Sequence, residues 1–141
     1  MKTKQLVALA EDSKFFAKYL IEGLEHSGFE VVFCRNAGEV IEQFSKSPDQ
    51  RPTMLITDGL LAHGEEFSVA ETRGGIDTGV AIYERLRKQF PDLSVIILIS
   101  EESSLNKLRE THDNKLAVFA NREIFPTQRI LSKAKQFAGL P

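Results

Sequence analysis

The run Met54-Leu-Ile-Thr-Asp58 constrains the fold of this chain more than any other stretch. Four apolar or β-compatible residues lead into a carboxylate, and Gly59 follows. A run this short, closed by turn chemistry, predicts a buried strand. Asp58 then sits at the strand's C-terminal end, where open α/β sheets place their ligand sites. Two other apolar runs end the same way. Leu6 to Ala10 runs into Glu11-Asp12, and Val95 to Ile99 runs into Ser100. Three strands thus deliver three acids and a hydroxyl to one edge of a sheet.

The rest of the chain alternates strand and helix. Gln5 to Ala10 is apolar without alternation, as for a strand covered on both faces. Ser13 is a good N-cap for a helix from Lys14 to His26, with Phe16, Tyr19, Leu20 and Leu24 at helical spacing and Gly28 as its stop. Glu30 to Cys34 predicts a second strand. Asn36 and Glu39 form a capping-box-like start to a second helix, buried through Val40, Ile41 and Phe44. Ser47 to Pro52 is a loop, and Thr53 to Asp58 is the third strand. Helix is expected from Thr78 to Phe90, strand from Ser94 to Ser100, a thin-faced helix from Glu101 to Thr111, and strand from Leu116 to Ala120. A last helix begins at Pro126 and ends at Gly139. Five strand-helix units with short links imply a parallel sheet with helices on both faces.

One connection is too long for this pattern. Residues 59–77 carry Gly59, Gly64, Gly74 and Gly75 among Glu65, Glu66, Glu71 and Arg73. Such connections usually take about 2 to 6 residues, and longer ones are often functional. This one is either a tolerated surface insertion or a lid or partner-binding loop over Asp58.

Composition narrows the function classes. The 141 residues suit one domain, 1–141. The formal net charge of −2, from 18 basic and 20 acidic side chains, gives no footprint for direct nucleic-acid binding. Cys34 is the single cysteine, so no internal disulfide is possible. No apolar stretch approaches the roughly 20 residues needed to cross a bilayer, and no membrane partner is expected. A cytoplasmic location is the expectation, with Leu140-Pro141 either a natural terminus or the boundary before a further domain. His26, His63 and His112 lack metal-ligand spacing and are expected at the surface.

With Glu11-Asp12, Asp58, Ser100 and Phe119 at successive strand ends, the chain resembles the response-regulator receiver domains of two-component signalling. The resemblance covers nearly the whole chain. It implies a doubly wound, flavodoxin-like five-stranded parallel sheet of order 2-1-3-4-5. It also implies a Mg²⁺ site formed by Asp12, Asp58 and the backbone carbonyl of Leu60, with Glu11 acting through water. Three clustered carboxylates repel one another, and a hard dication with oxygen ligands answers that repulsion. Asp58 would be the phosphoacceptor, fed by a sensor histidine kinase, a phosphotransfer protein or a small phosphodonor. Ser100 would bond a phosphoryl oxygen, and Phe119 would be the switch aromatic. The family's strand-five Lys falls at Arg122, and the Pro that usually follows is missing. Arg presents its charge as a planar fork, so this exchange is not conservative.

The output would be a partner protein or a C-terminal domain beyond this chain, and the 101–138 face a possible homodimer surface. The chain is not expected to be an enzyme. A phosphorylation-independent pseudo-receiver is the alternative, suggested by the missing Lys and the long connection. A haloacid-dehalogenase-like phosphatase would need a second acid two residues after Asp58, where this chain has Leu60. Taken singly, the motifs have plainer readings: Glu11-Asp12 as helix-start acids, Asp58-Gly59 as a turn, Ser100 as a helix cap, Arg122 as a solvated arginine.

Overall fold

A computed structural model describes residues 4–120 and 127–141. Five parallel strands form one sheet in the order β2-β1-β3-β4-β5. They are β1 (Leu6–Ala10), β2 (Glu30–Cys34), β3 (Met54–Asp58), β4 (Ser94–Ile99) and β5 (Leu116–Ala120). The expected alternation and strand order are both present. Every residue of β3 and β4 is buried, as central strands covered on both faces require.

Strand alternation divides the core into two layers. Val7, Leu9, Met54, Ile56, Ile96, Leu98 and Phe119 face α1 (Lys14–His26) and α6 (Thr127–Ala138). Ala8, Ala10, Leu55, Val95, Ile97 and Ile99 face α2 (Ala37–Phe44), α4 (Thr78–Gln89) and α5 (Glu102–Arg109).

The helix starts follow the sequence chemistry. The Ser13 hydroxyl accepts from the Phe16 amide at 3.3 Å, and Asn36 Oδ1 accepts from the Glu39 amide at 3.0 Å. The Glu39 carboxylate reaches past the cap and accepts from the amide of Arg35, one residue before it, at 2.8 Å. Tyr19 departs from expectation. It is 53% exposed, with its ring edge-on to the exposed Phe15 at 5.1 Å, and Ala17 takes the buried position instead. Periodicity places Tyr19 on the right side of α1, but at its rim.

The 59–77 connection is neither empty nor loose. Its Ala62 pairs with Asn36, and the Ala62 carbonyl accepts from the Ala37 amide at 3.0 Å. Phe67 is buried in the α2/α4 layer, with the Arg85 guanidinium 3.9 Å above its ring. A four-residue helix, α3 (Val69–Thr72), follows, opened by a full capping box between Ser68 and Glu71. The segment returns where the Leu61 amide donates to the Gly75 carbonyl at 3.2 Å. It is a folded arm anchored beside α2 and α4, not an unattached cover over Asp58.

One arginine fixes the turn between α4 and β4. Arg87 Nε donates to Asp113 Oδ2 at 2.6 Å. Its Nη1 donates to the carbonyls of Phe90, Pro91 and Leu93 at 3.2, 2.9 and 2.5 Å. The Arg87 and Asp113 side chains are 18% and 14% exposed, so solvent cannot replace these bonds cheaply. Arg87→Met is expected to cost about 3 kcal/mol in urea unfolding. A loss under about 1 kcal/mol would place the turn's stability elsewhere.

Candidate functional site

The sheet register builds the site. Ala10 pairs with Thr57, so Glu11 stands level with Asp58 at the C-terminal edge. Asp58 pairs with Leu98, and Leu98 with Phe119. Ser100 therefore lies two residues beyond the level of Asp58, or about 7 Å further out along the strand. Strand alternation assigns Asp58 to the face of Met54 and Ile56, beneath the start of α1.

Glu11 and Asp58 are 4% and 7% exposed, and their carboxyls lie within hydrogen-bonding reach of each other. The Ser13 amide donates to Glu11 Oε1 at 3.0 Å, and the Leu60 amide donates to Asp58 Oδ1 at 3.2 Å. Burial and the facing Glu11 push the Asp58 carboxyl up to about 7. Burial raises Glu11 as well.

Asp12 stands at the rim of the pair. Its side chain is exposed, and it acts on the pair through its charge. Among the described residues, no three His, Cys, Asp or Glu side chains gather into a ready-made metal cage. The carboxyl in contact with Asp58 is Glu11, which the resemblance assigned to a water-mediated role. The contact shown for Leu60 is its amide, and its side chain is half exposed.

The donor set still fits a hard dication. Two buried carboxyls share one bond, burial and Glu11 raise the proton affinity of Asp58, a third carboxylate stands on the rim, and every donor is oxygen. Such a cluster is stable with a proton or a cation and unfavourable with neither.

Ser100 is exposed, and a cavity of about 200 Å³ lies between it and the turn after Asp58, lined by Gly59, Leu60, Ile76, Ile99 and Glu101. It does not cap α5. Glu101 does, accepting from the Ser104 amide at 2.9 Å. Those bonds, led by the one from the Ser103 hydroxyl, hold the Glu101 carboxyl down at about 2. Phe119 is 9% exposed and packed inward, with the Arg129 guanidinium 5.2 Å from its ring centre. Arg122 lies outside the described residues. His26 and His112 are exposed as expected, whereas His63 is half-buried with its Nδ1 2.8 Å from the Gly64 carbonyl.

Sequence reasoning missed Gly79. The first turn of α4 presses onto the backbone of the acidic edge, and the Gly79 amide donates to the Gly59 carbonyl at 3.0 Å. A Cβ there would stand 2.4 Å from the Asp58 carbonyl oxygen. Only the glycine inside an otherwise regular helix hinted at a close approach.

No family model and no curated protein matches the chain. Solved structures do match. The receiver domain of non-phosphorylated HemR from Leptospira biflexa is similar with a TM-score of 0.70 at 17% identity, covering 98% of this chain and 97% of that one. The Mn²⁺-bound response regulator Rcp1 is similar at 0.67 and 16% identity, covering 95% and 94%. The phosphorylated cyanobacterial phytochrome response regulator RcpA is similar at 0.66 and 17% identity, covering 96% and 94%. This chain has the fold of the response-regulator receiver domains over nearly its whole length. Among the described residues, no helix is long and apolar enough to cross a membrane.

Proposed function

We propose that this chain is a single, cytoplasmic two-component receiver domain that accepts a phosphoryl group on Asp58. The observation that carries the reading is the buried Glu11–Asp58 pair at the C-terminal edge of a receiver-type sheet. Asp58, Asp12 and Glu11, with the Leu60 carbonyl, would hold Mg²⁺, which when bound neutralises the charge of the acids and of the incoming phosphoryl group. An Asp58 carboxylate oxygen forms the new bond to phosphorus. The donor's bond to phosphorus breaks, and its electron pair leaves with the donor group.

The donor is the phosphohistidine of a sensor kinase or phosphotransfer protein. Ser100 and Arg122 are the groups placed in sequence to meet the phosphoryl oxygens, and Phe119 answers their movement. The 101–138 face then carries the signal to a partner protein, a further domain or a second copy. The reading is tested by Mg²⁺-dependent transfer from a small phosphodonor, followed as a gain in intact mass.

A phosphate-independent interaction module is the second reading. It is favoured by Val118 to Glu123, which holds no Lys. On that reading, Asp58→Asn leaves partner binding unchanged.

A further inference from the structure

Asp77 is the N-cap of α4, yet its side chain makes no capping bond there. Its carboxylate is turned to the arm instead. Arg73 Nε donates to Asp77 Oδ2 at 2.5 Å and Nη2 to Oδ1 at 2.9 Å. The same Nη2 reaches across to α5. It donates to Glu101 Oε2 at 3.1 Å and to the Ser104 hydroxyl at 2.9 Å. The Ser104 hydroxyl in turn donates to Asp77. One guanidinium thus ties the folded arm, the start of α4 and the start of α5 together.

Arg73 occupies a costly backbone position. Its φ of 49° is the only positive φ of a non-glycine among the described residues. Gly74 and Gly75, both also at positive φ, follow directly. L-residues with a Cβ avoid this region, and two of three successive positions here use glycine. An Arg at the third is explained by what its side chain holds.

The held element is the one beside the site. Glu101 follows Ser100, and α5 is buried through only Ser104, Leu105 and Leu108. A helix with so few buried contacts is weakly fixed by packing and depends on its end contacts. We propose that Arg73 is a positioning residue, a latch that holds the Ser100–Glu101 segment away from Asp58 until a group on Asp58 draws Ser100 inward. The inference rests on the reading of Asp58 as a phosphoryl acceptor. Ser100 crosses the intervening cavity only if Glu101 moves with it, and that movement stretches the Arg73–Glu101 bond. By linkage, a latch weakened by modification must itself oppose modification.

The test compares wild type, Arg73→Gly and Arg73→Lys. Glycine keeps the left-handed backbone without strain, so the fold survives. Lysine restores charge without the forked contact. Hydrogen exchange over 101–109 is measured in the free protein, and beryllofluoride affinity is measured in Mg²⁺. In Arg73→Gly, exchange is expected to quicken and the phosphoryl mimic to bind about fivefold tighter, with Arg73→Lys between. Unchanged exchange would overturn the latch. Faster exchange with equal mimic affinity would also overturn it, leaving Arg73 as a structural contact. Failure of the wild type itself to bind the mimic would overturn the phosphoryl reading, and the coupling with it. That result is distinct from equal binding by wild type and Arg73→Gly, which overturns the latch alone.

Discussion

Asp58→Asn is expected to make the metal-free protein more stable, by about 2 kcal/mol at pH 8. The substitution keeps the shape of a buried side chain and removes a charge that faces Glu11 in a water-poor site. The sign follows from the direction of the shift. The Asp58 carboxyl is held up at about 7 against an ordinary 3.8, so the folded chain takes up its proton more readily than the unfolded chain does. The penalty is fully present above pH 7 and is relieved as the pH falls from 7 toward 4. In chelator, wild type should therefore gain stability between pH 8 and pH 5, and Asp58→Asn should gain less. Added Mg²⁺ should raise the unfolding midpoint of wild type at pH 8 and leave that of Asp58→Asn nearly unmoved. Urea unfolding across pH, with and without the ion, measures both effects. A destabilised Asp58→Asn protein would mean that the buried carboxylate is a structural group already satisfied in the fold.

Gly79→Ala is expected to act in the opposite direction and to damage the site as well. The added carbon meets the backbone of Asp58 and Gly59, at 2.4 Å from the Asp58 carbonyl oxygen and 2.8 Å from the Gly59 Cα. No side chain can swing away to make room, so either α4 or the end of β3 must shift. Overpacking of this kind costs about 2 to 3 kcal/mol, against about 1 kcal/mol gained from alanine's better helix propensity. A net loss of about 1 to 2 kcal/mol is the expected result in urea. Mg²⁺ stabilisation should weaken too, because Asp58 and Leu60 flank the displaced backbone. Gly79→Ala with unchanged stability and unchanged Mg²⁺ response would show that the helix start and the acidic edge are not pressed together.

Much of this architecture was legible in the residues. Short apolar runs ending in Glu11-Asp12, Asp58 and Ser100 set the strands and their polar edge, and Ser13 and Asn36 set the helix starts. What lay hidden depended on register and on single long-range contacts. Glu11 and Asp12 are adjacent in sequence, and only the Ala10–Thr57 pairing decides which of them turns inward to Asp58. Tyr19 has the spacing of a core residue, yet it sits at the rim of its helix face, which periodicity does not resolve. Four-residue α3 is too short for a periodic signal, and Phe67 enters the core from a stretch of loop without periodic neighbours. Ser100 precedes α5 as a capping residue should, but the longer Glu101 side chain reaches the Ser104 amide instead. Arg73 carried no signal at all. Its partners lie at Asp77, Glu101 and Ser104, and the last two come from the far side of β4.

Phosphoryl transfer to Asp58 is read out as a change in intact mass. Wild type and Asp58→Asn are each incubated with a small phosphodonor, with Mg²⁺ or with chelator. The expected result is a gain of one phosphoryl group in wild type with Mg²⁺ only. No gain in wild type, under conditions where Mg²⁺ stabilises the fold through Asp58, would contradict that transfer and leave the acidic edge as a metal-bound interaction module.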